Sequence, residues 1–131
     1  MLTAEQIMTP NVYTIHPDAT IQQAISMLLD KRISGLPVID DSGTLVGVLT
    51  EYGLLAMVYD KQIMNNTVAQ HMTREVISVE ANEPVNHVAD QFILHRVRRL
   101  PVIRQGKLIG LISRVDVLRA LCEAQAPVCS A

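Results

Sequence analysis

The sequence has no tryptophan, a single phenylalanine and three tyrosines, so aromatic residues make up only 3% of the chain. Proteins that bind single-stranded nucleic acid stack bases on exposed aromatic rings, and this chain has few rings to offer. No apolar run approaches the roughly 20 residues that a transmembrane helix needs. These absences argue against nucleic acid and membrane as partners, and we expect a cytoplasmic protein.

Cysteine is also scarce, because the chain has only two, Cys122 and Cys129. A small secreted domain stabilised by disulfides needs more than this, and neither cysteine belongs to a cluster with the spacing of metal ligands. The four histidines are scattered, without a pair four residues apart. We therefore expect no metal site, and we interpret Cys122 as a small buried hydrophobic residue.

Aliphatic residues dominate what is present, since 49% of the 131 residues are hydrophobic. A chain of this length can form one compact domain that buries roughly two-thirds of its unfolded surface. The net charge of −2 is unevenly spread: residues 66–131 carry 8 basic and 6 acidic side chains, whereas residues 1–65 carry 3 and 7. This distribution permits a local anion site in the second half of the chain.

The sequence is duplicated. Three pairs of segments match: Leu36–Ile39 with Leu100–Ile103, Met8–Thr9 with Met72–Thr73, and Leu45–Thr50 with Leu108–Ser113. Between them, apolar residues recur with the period of an amphipathic helix at equivalent places in both halves. We therefore predict two repeats, residues 1–64 and 65–123, followed by a tail at residues 124–131.

Each repeat is predicted to form a short strand, a helix, a hairpin of two strands and a closing helix. The fold class is α/β (α+β), with two β-α-β-β-α repeats packed about a pseudo-twofold axis. In repeat 1 the predicted elements are, in order, Val12–Ile15, a helix over Thr20–Asp30 with Asp18 as its N-cap, Leu36–Ile39, Leu45–Leu49 and a helix over Glu51–Tyr59. In repeat 2 we expect Asn82 as an N-cap with Pro84 in the first helical turn, and Lys61–Thr67 as an irregular linker.

Ser113 follows a run of strand-forming residues, and Asp116 lies three residues further on, a pattern that predicts a strand turning into a helix. Such a turn suits a polyol phosphate. The first N–H groups of the helix and its dipole favour the anion, while the carboxylate accepts hydrogen bonds from vicinal sugar hydroxyls. The same two residues can instead form a capping box that satisfies only the backbone of the helix, and both interpretations stay open.

The motifs together resemble those of the cystathionine β-synthase (CBS) domain. They are Met-Thr, a helix, Leu-Pro-Val-Ile, and then Leu-hydrophobic-Gly-hydrophobic-hydrophobic-Thr/Ser-x-x-Asp, present twice between about Ile7 and Leu121, with one departure described below. Two in tandem resemble a CBS domain pair, or Bateman module. The resemblance implies a regulatory module rather than an enzyme, which binds AMP, ADP, ATP or S-adenosylmethionine in clefts between the repeats and signals to a partner protein by a conformational shift.

The resemblance also implies a set of contact residues. It assigns Ser113 to phosphate or ribose and Asp116 to the ribose hydroxyls. The other implied contacts are Leu111 and Ile112 against the adenine, Asn11, Tyr13, Ile33, Ser34 and Gly35 from repeat 1, and Arg98 and Arg99 near the phosphate. A homodimer is suggested as well, for which the closing helices offer Leu54, Leu55, Val58, Val117, Leu118 and Leu121.

Repeat 1 departs from the pattern, because Gly53 stands where the pattern has the ribose-binding aspartate. Its cleft keeps the hydroxyl of Thr50 but loses the charged acceptor, which weakens binding by a hundredfold or more. We therefore expect one competent adenosyl site per chain and a second, weaker cleft at Thr50. The alternative function is an interaction module that dimerises without a small ligand.

Overall fold

The computed structural model describes residues 2–124. By their contacts these residues form two compact units, which we call unit one (residues 2–12 and 77–124) and unit two (residues 13–76). The elements in chain order are α1 (Ala4–Ile7), α2 (Ile21–Lys31), β1 (Gly35–Ile39), β2 (Leu45–Thr50), α3 (Glu51–Met57), α4 (Lys61–Met64), α5 (Val68–His71), β3 (Val79–Glu80), α6 (Val85–His95), β4 (Arg99–Arg104), β5 (Lys107–Ser113) and α7 (Arg114–Ala124). The predicted mixture of helices and strands in two repeats is confirmed.

Unit one contains a three-stranded sheet in the order β3-β4-β5, with β3 parallel and β5 antiparallel to β4. The hairpin between β4 and β5 turns at Gln105 and Gly106, which have φ angles of 53° and 80°. Two consecutive positive φ angles match the twist of the flanking strands and favour glycine at the second position. This short turn is one residue tighter than its counterpart in unit two, as the alignment of the repeats predicts.

The core of unit one is aliphatic. Its fully buried side chains come from α1, the sheet and α6, and α7 covers them with Val117 and Ala120. A helix packs its apolar face on the sheet in this way because burial of each such side chain stabilises the fold by about 1.5–3 kcal/mol. The fully buried members are Ala4, Val79, Val88, Leu100, Val102 and Ile112.

The N-terminal segment, residues 2–9, belongs to this same unit although it is remote in sequence from the rest of it. Thr9 and Leu111 exchange two backbone hydrogen bonds, with N···O distances of 2.8 and 3.0 Å. Earlier in the segment, the Ala4 N–H donates to the carbonyl of Glu83 at 2.8 Å, and Glu5 forms an ion pair with Arg104. The Met-Thr motif of repeat 1 therefore completes the edge of the sheet formed by repeat 2.

Unit two repeats this arrangement with its own residues. Its hairpin of β1 and β2 is antiparallel, Ile15 forms a parallel bridge with Val38, and Thr73 pairs with Val48 on the other side of the hairpin. The turn from Asp40 to Thr44 is held by the Asp40 carboxylate. The Ser42 hydroxyl and then the Thr44 N–H donate to that carboxylate and lower its pKa, with His16 adding a smaller effect.

Several predicted boundaries are wrong in detail. Thr20, not Asp18, is the N-cap of α2: its hydroxyl accepts from the Gln23 N–H at 3.1 Å, and the Gln23 side chain accepts from the Thr20 N–H at 2.9 Å. Pro84 occupies the N-cap position of α6, where Asn82 was expected. These errors arise because a cap is defined by the backbone turn, and several adjacent polar residues fit the same pattern.

Three further expectations need correction. Over the predicted strand Val12–Ile15, only the isolated bridge at Ile15 is present. The predicted irregular linker contains the helical turn α4, which begins after Asp60 because its carboxylate accepts from the Gln62 N–H. Cys122 is half-buried and disulfide-bonded, so its interpretation as a buried hydrophobic thiol is wrong. The predicted tail from residue 125 onward lies outside the described residues.

Candidate functional site

Ser113 and Asp116 form a capping box at the turn from β5 into α7. The Asp116 Oδ2 accepts from the Ser113 N–H at 2.8 Å, and the Ser113 Oγ accepts from the Asp116 N–H at 3.2 Å. The capping box that the sequence offered as the alternative to a ligand site is therefore present in the molecule. The two hydrogen bonds also hold the carboxylate in one orientation at the start of the helix.

The capping box does not use the whole carboxylate. An ionised aspartate has two oxygens and about four lone-pair sites, and the bond to Ser113 takes one of them. The other oxygen, Oδ1, lies 3.8 Å from the Arg119 Nη1, a long contact that is weak at a surface. With its side chain 19% exposed, Asp116 retains acceptor capacity for a pair of hydroxyls.

Two arginines lie at the same end of the β4–β5 hairpin as this carboxylate. Arg99 is the register partner of Ser113, and Arg98 precedes it. The Arg114 Nε donates to the carbonyl of Val97 at 3.1 Å, which ties the first residue of α7 to the segment before β4. Arg98 and Arg99 are exposed. Positive charge next to the N-terminus of an eleven-residue helix favours an anion such as a phosphate.

The residues predicted to contact the adenine have different environments in unit one. Leu111 is half-buried, and its backbone is bonded to Thr9, so any contact with a ligand comes from its side chain. Ile112 is fully buried in the core of the unit, so its side chain has no exposed surface there. Asn11 is exposed, with a φ of 55°, two residues beyond Thr9. Its place in unit one was not evident from sequence spacing.

The predicted contacts from unit two lie around Thr50. Gly35 is the register partner of Thr50, and the Ser34 carbonyl accepts from the Glu51 N–H at 2.9 Å. Ile33 follows the left-handed residue that ends α2, and its N–H donates to the Leu28 carbonyl at 3.2 Å. Tyr13 is half-exposed, and the Lys31 Nζ lies over its ring, 5.2 Å from the centroid.

The turn from β2 into α3 reproduces half of the capping box. The Thr50 hydroxyl accepts from the Gly53 N–H at 3.1 Å, in the same relation as Ser113 to Asp116. At Gly53 there is no side chain to return the bond or to accept from a sugar. Unit two therefore has the hydroxyl and the helix N-terminus of such a site without its carboxylate.

Metal binding has no clear basis in the part of the chain that the structure describes. Among residues 2–124, no group of three or more His, Cys, Asp or Glu side chains could hold a metal ion. His16 is engaged with two exposed carboxylates, at 2.8 Å from Asp41 and 3.7 Å from Asp18. Within residues 2–124, none of the helices has the length and apolar character needed to cross a membrane.

Two copies of a helix, a hairpin and a closing helix, each capped by a hydroxyl at the strand-to-helix turn, define a tandem-repeat α/β protein. The chain belongs to the CBS domain family, whose profile matches residues 4–60 and 68–123. The duplication and the family resemblance inferred from the sequence are thereby confirmed.

Among curated relatives, the uncharacterized protein MJ1225 of Methanocaldococcus jannaschii is 33% identical over 88% of this chain, which spans 41% of that protein. The inosine-5'-monophosphate dehydrogenase of Nitrosopumilus maritimus is 35% identical over 85% of this chain, which spans 22% of that enzyme. The chain thus spans less than half of these two relatives. The second relative is an enzyme by name, and only a minor part of it matches this chain.

Solved structures match over nearly the whole of both chains. CBSX2 of Arabidopsis thaliana in complex with AMP has a TM-score of 0.85 and 33% identity, covering 95% of this chain and 99% of that one. The CBS domain pair of protein MJ0100 in complex with 5'-methylthioadenosine and S-adenosyl-L-methionine has a TM-score of 0.79 and 26% identity, covering 95% and 98%. Both of these similar proteins bind adenosyl compounds.

Proposed function

We propose that this protein is a regulatory module that binds an adenosyl nucleotide and signals its occupancy to a partner protein. The single observation that carries the proposal is the carboxylate of Asp116, held at a helix N-terminus by Ser113 with Arg98 and Arg99 at the same end of the hairpin. The adenosyl ligands of CBSX2 and MJ0100 support the choice of ligand class. We propose that the module has no catalytic role and that it is located in the cytoplasm.

The proposed chemistry divides the ligand among these groups. The Asp116 carboxylate accepts hydrogen bonds from the ribose hydroxyls, each contributing about 1.5–3 kcal/mol because the acceptor is charged. The phosphate end of a nucleotide lies toward the arginines and the helix N-terminus, where an anion gains most. The remaining contacts that we propose from the family resemblance are Asn11, Tyr13, Ile33, Ser34, Gly35 and Leu111.

The proposal is tested by calorimetry and thermal unfolding with AMP, ADP, ATP and S-adenosylmethionine. A ligand that binds only the folded protein stabilises it by about 2.7 kcal/mol at a hundred times its dissociation constant, so at least one of the four should raise the melting temperature saturably. GMP serves as the matched control for the base. No saturable binding of any of the four compounds would contradict the proposal.

Replacement of Gly53 by aspartate is expected to create a second adenosyl site. A Cβ at this position lies 3.3 Å from the Thr50 Oγ1, close enough for the new carboxylate to complete a capping box of the Ser113–Asp116 type. Calorimetric stoichiometry should rise from one to two ligands per chain. Gly53→Ala is the control, because it adds the Cβ without the acceptor and should leave the stoichiometry at one.

Assembly without a ligand is the second candidate function, and exposed apolar residues on the closing helices favour it. Leu55 on α3 and Leu118 on α7 are 63% and 62% exposed, at equivalent positions of the two repeats. The expectation that Leu54 and Val117 supply a dimer interface is wrong, because both are buried within their own units. Leu121 also packs against the core of unit one. A homodimer through the exposed residues is compatible with either function.

Combined replacement of Leu55 and Leu118 by aspartate is expected to convert a dimer to a monomer. Two buried charges per chain would have no partners in an apolar interface, and such burial is costly. Light scattering after size exclusion measures the molar mass, and Gln22→Asp, at an exposed polar site, serves as the control. An unchanged dimer in the double variant would place the interface elsewhere.

A further inference from the structure

The closing helices of both units leave apolar side chains exposed on their outer faces. Tyr52 and Leu55 of α3 are 85% and 63% exposed, and Val115 and Leu118 of α7 are 57% and 62% exposed. The members of each pair are three residues apart, so they lie on the same face of their helix. Every chain therefore presents two such surfaces, which we call the α3 face (Tyr52, Leu55 and Tyr59) and the α7 face (Val115, Leu118 and Arg119).

The two faces occupy equivalent positions of the repeats but differ in chemistry. Tyr59, just beyond the end of α3, is 88% exposed, so two of the chain's three tyrosines lie on the α3 face. The α7 face carries a cation, because Arg119, whose side chain is 62% exposed, stands where unit two has Ala56. The first residues of the two helices, Glu51 and Arg114, also differ in the sign of their charge. The α3 face is thus aromatic and the α7 face is cationic.

The chemistry of these faces distinguishes two ways in which a second copy of the chain can cover them. If like faces meet, Arg119 of one copy lies near Arg119 of the other, and like charges across an interface are unfavourable. If unlike faces meet, the guanidinium lies near the rings of Tyr52 and Tyr59, and an aromatic ring attracts such a cation. Tyrosine and arginine are also enriched among the residues that contribute most to binding at interfaces. Complementarity therefore favours contact between unlike faces.

We propose that unlike units form the homodimer, with the α7 face of each copy packed on the α3 face of the other. This inference rests on the homodimer considered with the proposed function, and it does not depend on the adenosyl ligand. A twofold axis produces the contact twice, because the residues that one copy uses to touch the other are touched in return. Leu118 of each copy then packs against Leu55 of the other, and each Arg119 meets tyrosines rather than a second Arg119.

Two single variants, Leu55→Asp and Leu118→Asp, distinguish unlike from like pairing when each is sedimented alone and in an equimolar mixture. With unlike pairing, either variant alone has an aspartate in both contacts and should be a monomer. In the mixture, the unaltered α7 face of Leu55→Asp meets the unaltered α3 face of Leu118→Asp, so one contact is intact. The dissociation constant of the mixed dimer should therefore be at least about 10-fold lower than that of either variant alone.

Replacement of Arg119 by alanine, the residue at the equivalent position of unit two, gives opposite results for the two pairings. Loss of a contact between the guanidinium and a tyrosine ring should raise the dissociation constant of the dimer about 5- to 30-fold, because the contact occurs twice. Loss of a repulsion between like faces would lower the constant instead. Lys107→Ala removes a positive charge at an exposed site of the β4–β5 hairpin, and as the control it should leave the constant unchanged.

Each contrary result overturns the proposed pairing. With like pairing, each aspartate variant alone keeps one intact contact and the mixture has none, so mixing would weaken association or leave it unchanged. Equal or tighter dimerisation of Arg119→Ala would show that the cation does not meet the tyrosines. A wild type that stays monomeric at every concentration would overturn the homodimer and the pairing together. Adenosyl binding, measured by calorimetry, tests the ligand function separately from all of these outcomes.

Discussion

Gly110→Ala is expected to lower the free energy of unfolding by about 1–3 kcal/mol, because a methyl group at this position has no space. A Cβ there would lie 2.5 Å from the Met8 Sδ and 2.8 Å from the Thr9 carbonyl oxygen. The methionine can move, but the carbonyl is backbone and is bonded to the Leu111 N–H. The N-terminal segment must therefore shift away from β5. Thermal or denaturant unfolding will measure the resulting loss of stability.

Two variants make this result specific. Gly53→Ala also adds a methyl group to a glycine, but its nearest neighbour is 3.3 Å away and it lies in a helix, where alanine is favoured over glycine. The denaturant concentration at the midpoint of its unfolding should equal or exceed that of the wild type. Met8→Ala combined with Gly110→Ala should not restore stability, because the Thr9 carbonyl remains in the way. Full recovery in that double variant would show that only the sulfur was in conflict.

Asp116→Gln is expected to weaken adenosyl binding about a hundredfold or more while changing stability by less than about 1 kcal/mol. We expect stability to be retained because other capping boxes of this chain use glutamine. In α1, α2 and α5 the third helical residue of the box is Gln6, Gln23 or Gln70, so glutamine meets the requirements of a cap in this protein. The carboxylate at Asp116 adds a negative charge, which glutamine lacks.

The outcome separates the two interpretations of this turn. If Asp116 is only a cap, the glutamine variant should bind every ligand like the wild type, and Asp116→Ala should lose stability alone. If Asp116 holds the ribose, both variants should lose binding, whereas only the alanine variant should also unfold more easily. Calorimetry with AMP and unfolding in the absence of ligand provide the two measurements.

The sequence was sufficient to predict the repeats, their hairpins and their closing helices. The period of the apolar residues and the internal duplication can both be recognised without knowing how the elements pack. It was not sufficient to place Met8 and Thr9. Both hairpins present a Leu-x-Gly-x pattern that accepts a Met-Thr segment, so the alignment shows which residues are equivalent but not which hairpin each segment joins. That choice depends on contacts between residues about a hundred positions apart.

The candidate site was also predicted only in part from the sequence. The spacing of Ser113 and Asp116 correctly predicted a helix start, but a capping box and a ribose site require the same residues at the same spacing. The burial of Ile112 was not predicted for a related reason, since adjacent strand residues point to opposite faces and the sequence does not say which face is the core. The Tyr13–Lys31 pair has no sequence signal, because Tyr13 precedes α2, Lys31 ends it, and the two meet only in the folded unit.

The pairing of Thr9 with Leu111 has a consequence for how the protein is made. The ribosome synthesises the N-terminal segment first and its partner strand near the end. At about 5–20 residues per second the segment stays without that strand for roughly 5–20 s. Residues 13–76 contain all of unit two and are complete well before then. The middle of the chain can therefore fold during translation, while unit one has to await strand β5.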